Sequence, residues 1–282
     1  MNPVVSIMAQ GGMGAATAAR LVENGIEVRT VVAGRSAASA ERAKKAGKTA
    51  VNEEELVAAD FLLSIVPPAE AIPLAKHLAP FIAKAAKKPV YIDLNAINPD
   101  TAMMVAMIVE PSGAAFVDGG IIGGPPRAGY EGPVYYVSGV EARRAEALAG
   151  FGLKIGVLDA PGCAASALKM SYAGITKGLI ALGSAMILAA ERAGIGDALR
   201  AELAASQANL LNGFARSIPD MFAKANRWVA EMDEIAGFAG KGRVEHDLYH
   251  AIAGLYERLG TDFDGAQAEI DKLRAFFPTE RT

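Results

Sequence analysis

The chain has 282 residues, 52% hydrophobic and 21% charged, with 28 lysines and arginines against 31 aspartates and glutamates for a net charge of −3. That composition excludes global disorder, and without a basic excess or many aromatics (6%) the footprints of a nucleic-acid or anionic-membrane binder are absent. The one cysteine, Cys163, excludes a disulfide framework and a cysteine-based zinc site, and the scattered His77, His246 and His250 carry no metal-site signature. The expectation is a cytoplasmic protein of one or two domains that acts on a small molecule, with no metal, nucleic acid or membrane as partner.

The N-terminal stretch lacks a basic segment before its apolar run, which argues against a secretory signal. Short β-branched runs at 4–8, 27–32, 61–66, 90–94, 116–117, 134–138 and 155–158 alternate with alanine-rich stretches of helical spacing at 15–23, 37–46, 68–86 and 100–109. Near-continuous apolar strands alternating with helices predict a doubly wound parallel sheet covered on both faces. From Pro161 onward the β signal stops, and segments 164–193, 197–214, 227–239, 246–259 and 265–276 read as helices. Pro and Gly at 159–162 mark the change, so residues 1–161 are expected to form an α/β domain and 162–282 an all-helical one. The most apolar run, 178–190 between Lys177 and Glu191, falls short of the ~20 residues needed to cross a bilayer and reads as a buried helix.

After the first strand comes Ala9-Gln10-Gly11-Gly12-Met13-Gly14, followed by a helix. This is the dinucleotide-binding fingerprint with alanine at its first glycine. Glycines let backbone N–H groups approach a pyrophosphate, and the helix N-terminus adds partial positive charge. A plain strand–helix turn is the alternative; the position after the first strand, with a second strand at the expected distance, favours the dinucleotide. The end of that second strand carries Arg35 and Ser36 where an NAD site usually places an acid for the ribose hydroxyls. A guanidinium and a hydroxyl suit a 2′-phosphate, so NADP is expected, with NAD the alternative. Arg42, Lys44 and Lys45 read as a solvated helix face.

Lys169 lies in a long apolar helical segment, with Tyr172, Ala173, Thr176 and Lys177 on its face by helical spacing. Such a lysine either snorkels to the surface or serves as a general acid/base.

Taken together these motifs resemble the β-hydroxyacid dehydrogenase family, which includes 6-phosphogluconate and 3-hydroxyisobutyrate dehydrogenases, over essentially the whole chain. Gln10-Gly11-Gly12-Met13-Gly14 looks like the family's cofactor motif, and Val66-Pro67-Pro68 is similar to its nicotinamide-side loop. Asn95 stands in the segment where the family usually has Ser-Thr-Ile. Asp118-Gly119-Gly120-Ile121-Ile122-Gly123-Gly124 is similar to its substrate-binding segment, and Lys169 to its catalytic lysine. The resemblance implies a Rossmann-type cofactor domain, a helical substrate and dimerisation domain, and a homodimer. It also implies hydride transfer between nicotinamide and a hydroxyacid or related alcohol. Lys169 and Asn95 would be catalytic, and Gly120, Ile122, Gly123, Gly124, Tyr172, Ala173 and Thr176 would face the substrate.

Two departures stand out. Ile122 replaces the family's carboxylate-binding serine, and Ala173 replaces the asparagine one helical turn after the lysine. Asn95, Tyr172, Thr176 and Arg127 are the polar groups available to compensate, and an apolar or bulkier substrate is the other reading. The segment 227–236 resembles a subgroup whose C-terminal domain has no assigned function; there Arg227 and Glu231 have the spacing of an i,i+4 ion pair. His246 and His250, also four apart, read as a solvated or structural pair, and Cys163 as a small buried residue. An imine reductase-like enzyme and a non-catalytic dinucleotide-binding protein are the competing functions. Lys169 speaks against both, whereas Ile122 and Ala173 speak for the non-catalytic reading.

Overall fold

A computed structural model describes residues 2–8 and 11–277. Eight strands form one sheet: β1 (Val4–Met8), β2 (Glu27–Thr30), β3 (Thr49–Ala50), β4 (Phe61–Ser64), β5 (Val90–Asp93), β6 (Ala115–Ile122), β7 (Val134–Ser138) and β8 (Lys154–Val157), in the order β3-β2-β1-β4-β5-β6-β7-β8. The first six follow the doubly wound 3-2-1-4-5-6 order of dinucleotide-binding folds, so the order reverses between β1 and β4. Strands β4 and β5 are buried along their whole length, which is why their sequences are continuous apolar runs and not alternating ones.

Helices α1 (Gly12–Glu23), α2 (Ala37–Lys45), α3 (Glu53–Val57), α4 (Ala71–Lys84) and α5 (Pro99–Val109) connect the first six strands. The sheet has two separate cores. On one face Ala18 and Leu21 of α1 pack with Val5, Ile92 and Val137. On the other, Leu74 and Leu78 of α4 and Val105 of α5 pack with Leu62 and Tyr91.

The sheet is not wholly parallel as expected: β6 and β7 pair antiparallel, with Asp118 opposite Ser138. The connection between them contains no helix, and an antiparallel return needs no helical crossover. Strand β3 went unread because it has two residues, both exposed. Strand β6 is longer than its apolar sequence suggests, because Gly119 and Gly120 continue it without any β propensity.

The C-terminal part holds α6 (Ala164–Arg192), α7 (Gly196–Ser206), α8 (Ala208–Met221), α9 (Ala225–Ala239), α10 (Val244–Asp264) and α11 (Ala268–Phe276). The single helix expected over 197–214 is broken at Gln207, whose φ of −138° and ψ of 43° leave the helical region with no Gly or Pro to announce it. The chain divides into compact units ending at Met170 and beginning at Ser171. Secondary structure changes character near 161, but the first turns of α6 belong with the sheet for the reason given below.

By length and composition α6 is long enough and apolar enough to cross a membrane, and 44% of its most apolar window is buried within the fold. Its length follows from running out of the sheet-bearing unit into the helical one. The expected burial of 178–190 is one-sided. Ala181, Ser184, Ile187 and Leu188 are buried, whereas Leu179, Leu182 and Met186 are exposed. In the helical unit Trp228 packs edge-on to Tyr256 with centroids 5.2 Å apart. Lys177 Nζ lies 4.7 Å from the Trp228 ring centre and pairs with Glu231. Glu231 therefore serves Lys177 and not Arg227, which corrects the expected i,i+4 pair.

Candidate active site

In a doubly wound sheet the loops after the parallel strands converge at one edge, and ligands bind there where the strand order reverses. Strands β1, β4, β5 and β6 are parallel neighbours, so the segments that leave them meet at that edge.

Helix α1 opens on Gly12 with Gly11 as its N-cap, which provides no side-chain cap, and its first turn holds no acidic residue. Among the described residues no side chain caps the first N–H groups of the helix. A Cβ built on Gly11 or Gly12 meets nothing within 4 Å, so these glycines keep open space in front of the turn and do not serve packing. Gly14 is buried and Met13 packs partly on the first core. Such a cradle fits a pyrophosphate. Ala9 and Gln10 lie outside the described residues.

Beyond β2, Gly34 takes a left-handed φ of +71° and presents Arg35 at the exposed surface. Ser36 caps α2 by accepting from Ser39 N at 3.3 Å and donates to Ser39 Oγ at 3.1 Å. Its hydroxyl is used locally. Arg35 is the cation that remains at this turn.

Asn95, after β5, is 2% exposed. Its Oδ1 accepts from Val66 N at 2.6 Å, and its Nδ2 donates to Ser64 Oγ at 2.8 Å and to Asp93 Oδ2 at 3.0 Å. Its amide hydrogens are committed, so Asn95 is a bracket holding the Val66-Pro67-Pro68 turn against the end of β5. Pro67 and Pro68 then start a 3-10 turn over Pro68–Glu70.

Lys169 Nζ donates to Ile121 O at 2.9 Å. The approach of helix to strand is set by Gly120, where a Cβ would lie 2.8 Å from Lys169 Cβ and 3.0 Å from Ala165 O; a Cβ on Gly119 would instead lie 2.7 Å from Asp93 O of the neighbouring strand β5. The Gly120 approach and the Lys169 hydrogen bond fasten the start of α6 to the sheet. Gly123, at φ +124°, leaves room for Tyr130 Oη and Pro133, whereas Gly124 faces open space. Ile122, half-buried, ends β6 opposite Val134. Arg127 lies over the Tyr130 ring at 5.4 Å.

In the helical unit, Tyr172 is half-exposed and Ala173 is buried. Thr176 donates its hydroxyl to Tyr172 O at 2.9 Å.

Sequence reading missed the residues that fasten the site. Asp93 and Asp118 are each 1% exposed. Asp118 Oδ2 accepts from Ser166 N at 3.0 Å and Ser138 Oγ at 2.8 Å, and Oδ1 from Ser166 Oγ at 2.5 Å. Burial, reinforced by the Asp118 charge and opposed by the Asn95 hydrogen bonds, raises the Asp93 carboxyl to about 7. Burial also raises Asp118, against the hydrogen bonds from Ser166 and Ser138. An aspartate inside an otherwise apolar strand was the available signal, since an unpaired one is seldom buried. Burial, with the charges of Asp118 and Asp93, raises the half-buried Cys163 thiol to about 12, so it is no nucleophile at neutral pH. No cluster of three metal-ligating side chains occurs among the described residues.

Residues 5–152 match the NAD binding domain of 6-phosphogluconate dehydrogenase, and residues 190–259 match a domain of unknown function, DUF1932. A 28.5 kDa protein of Methanothermus fervidus, named as uncharacterized, is 28% identical over 225 residues, covering 79% of this chain and 85% of that one. A solved conserved protein of unknown function, described as similar in structure to 3-hydroxyacid dehydrogenases, has a TM-score of 0.71 at 25% identity over 96% of this chain and 99% of that one. Mycobacterium tuberculosis 3-hydroxyisobutyrate dehydrogenase with L-serine shares the fold with a TM-score of 0.71 at 21% identity, over 97% and 100% of the two chains. The chain belongs to the family of the 6-phosphogluconate dehydrogenase NAD-binding domain, joined to a DUF1932 domain.

Proposed function

We propose that the protein moves a hydride between a hydroxyl-bearing carbon of a small hydroxyacid or related alcohol and a nicotinamide dinucleotide, NADP in preference to NAD. The observation that carries this reading is Lys169 held on the Ile121 carbonyl at the strand edge where the glycine turn and the Asn95 bracket also stand. When bound, the nicotinamide supplies the two-electron acceptor or donor. Lys169 as neutral amine takes the hydroxyl proton while the carbon loses hydride, leaving a carbonyl; in reduction the ammonium returns that proton. Gly11 and Gly12 approach the pyrophosphate, Asn95 fixes the nicotinamide-side turn, and Gly123 and Gly124 let the protein backbone come close to the substrate. Arg35 supports NADP, because an exposed guanidinium pairs with a 2′-phosphate in two-point geometry.

Loss of the carboxylate-binding serine at Ile122 removes a charge-assisted hydrogen bond of about 1.5–3 kcal/mol. We therefore place the substrate among hydroxyacids held by other donors, or among less polar alcohols. The similar 3-hydroxyisobutyrate dehydrogenase is described with L-serine, so 3-hydroxyisobutyrate and L-serine are the first probes. The protein acts as a homodimer: Tyr172, Ile175, Leu179, Leu182 and Met186 are exposed along one seam of α6 at alternating spacings of three and four. That spacing is the one two helices use to pack together.

The test is a fluorescence titration with NADPH and NADH, followed by NADP-dependent oxidation of the two probes by wild type and Lys169→Met. Tight NADPH binding with turnover that needs Lys169 supports the reading. Binding of neither dinucleotide removes it.

A further inference from the structure

We infer that Asp118 is a positioning residue for Lys169: a buried carboxylate that caps the start of α6 from across the sheet and so sets where the lysine amine stands. This rests on the general acid/base role proposed for Lys169.

An ordinary helix start is capped by the side chain of the residue before it, which accepts from the second or third N–H. Before α6 that residue is Cys163, a weak acceptor, and its carbonyl is used by Ala167 N at 3.1 Å. The cap comes instead from strands β6 and β7. Ala165 N donates to Ser138 Oγ at 2.9 Å, and Ser166 N donates to Asp118 Oδ2 at 3.0 Å. Ser166 Oγ closes on the other carboxylate oxygen at 2.5 Å. An anion against a helix N-terminus is also favoured by the helix dipole.

The geometry carries this anchor to the lysine. Along β6, Asp118 and Gly120 are two residues apart and share one face of the strand. Along α6, Ser166 and Lys169 are three apart and share one face of the helix. The 118–166 contact therefore lies beside the 120–169 contact, where a Cβ on Gly120 would already meet Lys169 Cβ at 2.8 Å. The Lys169 hydrogen bond to Ile121 O completes the line. Three neighbouring strand residues thus fix one turn of helix: by charge at 118, by close approach at 120, and by a hydrogen bond at 121. Asparagine at 118 keeps one acceptor for Ser166 N but removes the negative charge that faces the helix N-terminus, so the turn is held less firmly. A shift of about 1 Å in a reacting group costs about 10²-fold in rate.

The experiment reads Lys169 directly as well as through turnover. Acylation of each lysine by acetic anhydride is followed by mass spectrometry between pH 6 and 10 in wild type, Asp118→Asn and Ser166→Ala. NADP-dependent oxidation of 3-hydroxyisobutyrate is measured beside it, with Lys169→Met as reference. In Asp118→Asn the expected result is acylation of Lys169 at least 10-fold faster with a displaced pH midpoint and the remaining lysines unchanged. kcat falls about 100-fold while the KM for NADP stays within twofold. Ser166→Ala, which keeps the backbone contact, moves both in the same direction by about threefold and stands in if Asp118→Asn does not fold. Unchanged Lys169 acylation in a folded variant overturns the inference. So does a rise shared by all lysines, which marks general loosening. Altered Lys169 acylation in a protein whose turnover survives Lys169→Met keeps the clamp and removes the acid/base role instead.

Discussion

Asp93 and Asp118 stand opposite one another in register on the neighbouring parallel strands β5 and β6, both 1% exposed. Asp93 holds Asn95 at the end of β5, and Asp118 holds the start of the helix that carries Lys169. Two carboxylates this close cannot both ionise freely, because each charge disfavours the other.

A stability consequence follows from the raised Asp93. With a folded-state pKa of about 7 against about 3.9 for an unfolded aspartate, the folded chain keeps a proton that the unfolded chain has lost between those values. This group's contribution to stability therefore falls as pH rises from about 4 to about 7 and levels off above. Thermal unfolding at intervals from pH 4.5 to 8 should show a shallower decline in Asp93→Asn than in wild type. Parallel curves would show that Asp93 titrates normally.

Replacing Lys169 by Met should lower turnover of any accepted substrate by about 10²–10⁴-fold, the usual share of a general acid/base. Dinucleotide affinity should stay within twofold. Steady-state rates paired with fluorescence titration separate the two, and retained turnover would falsify the role.

Arg35→Ala should weaken NADPH by about 10-fold and leave NADH unchanged, since a charged hydrogen-bonded contact is worth about 1.5–3 kcal/mol. Equal losses for both cofactors would assign Arg35 to the fold of the turn.

Gly120→Ala should destabilise by about 1–3 kcal/mol, the ordinary cost of overpacking, because the new methyl meets helix backbone at 3.0 Å. Chemical denaturation measures it. A neutral effect would mean that α6 stands off the strand more easily than its contacts indicate.

Leu179→Glu combined with Leu182→Glu should convert a dimer to a monomer without unfolding it, since both side chains are exposed in the single chain. Light scattering after size exclusion gives the mass. A wild-type monomer would remove α6 as a contact between copies.

Much of this architecture was legible before any coordinates. Buried parallel strands such as β4 and β5 announce themselves as apolar runs, and the glycines at 11, 12 and 14 announce the strand–helix turn that opens α1. The short β3, the antiparallel return of β7 and the break at Gln207 left no periodic trace. The histidines four apart form a stacked pair on the surface, with the exposed His250 Nδ1 3.4 Å from Asp233.

The sequence by itself determined the class of each half and the glycine-rich turn that opens α1, and it marked the candidate lysine, since these depend on residue types at short spacing. Tertiary structure alone decided that Asn95 is a bracket, that Glu231 serves Lys177, and that Asp118 caps a helix starting 46 positions later at Ala164. Such pairings depend on which strands become neighbours and in what register. Burial then makes them compulsory, because a carboxylate or amide removed from water must find its partners within the fold.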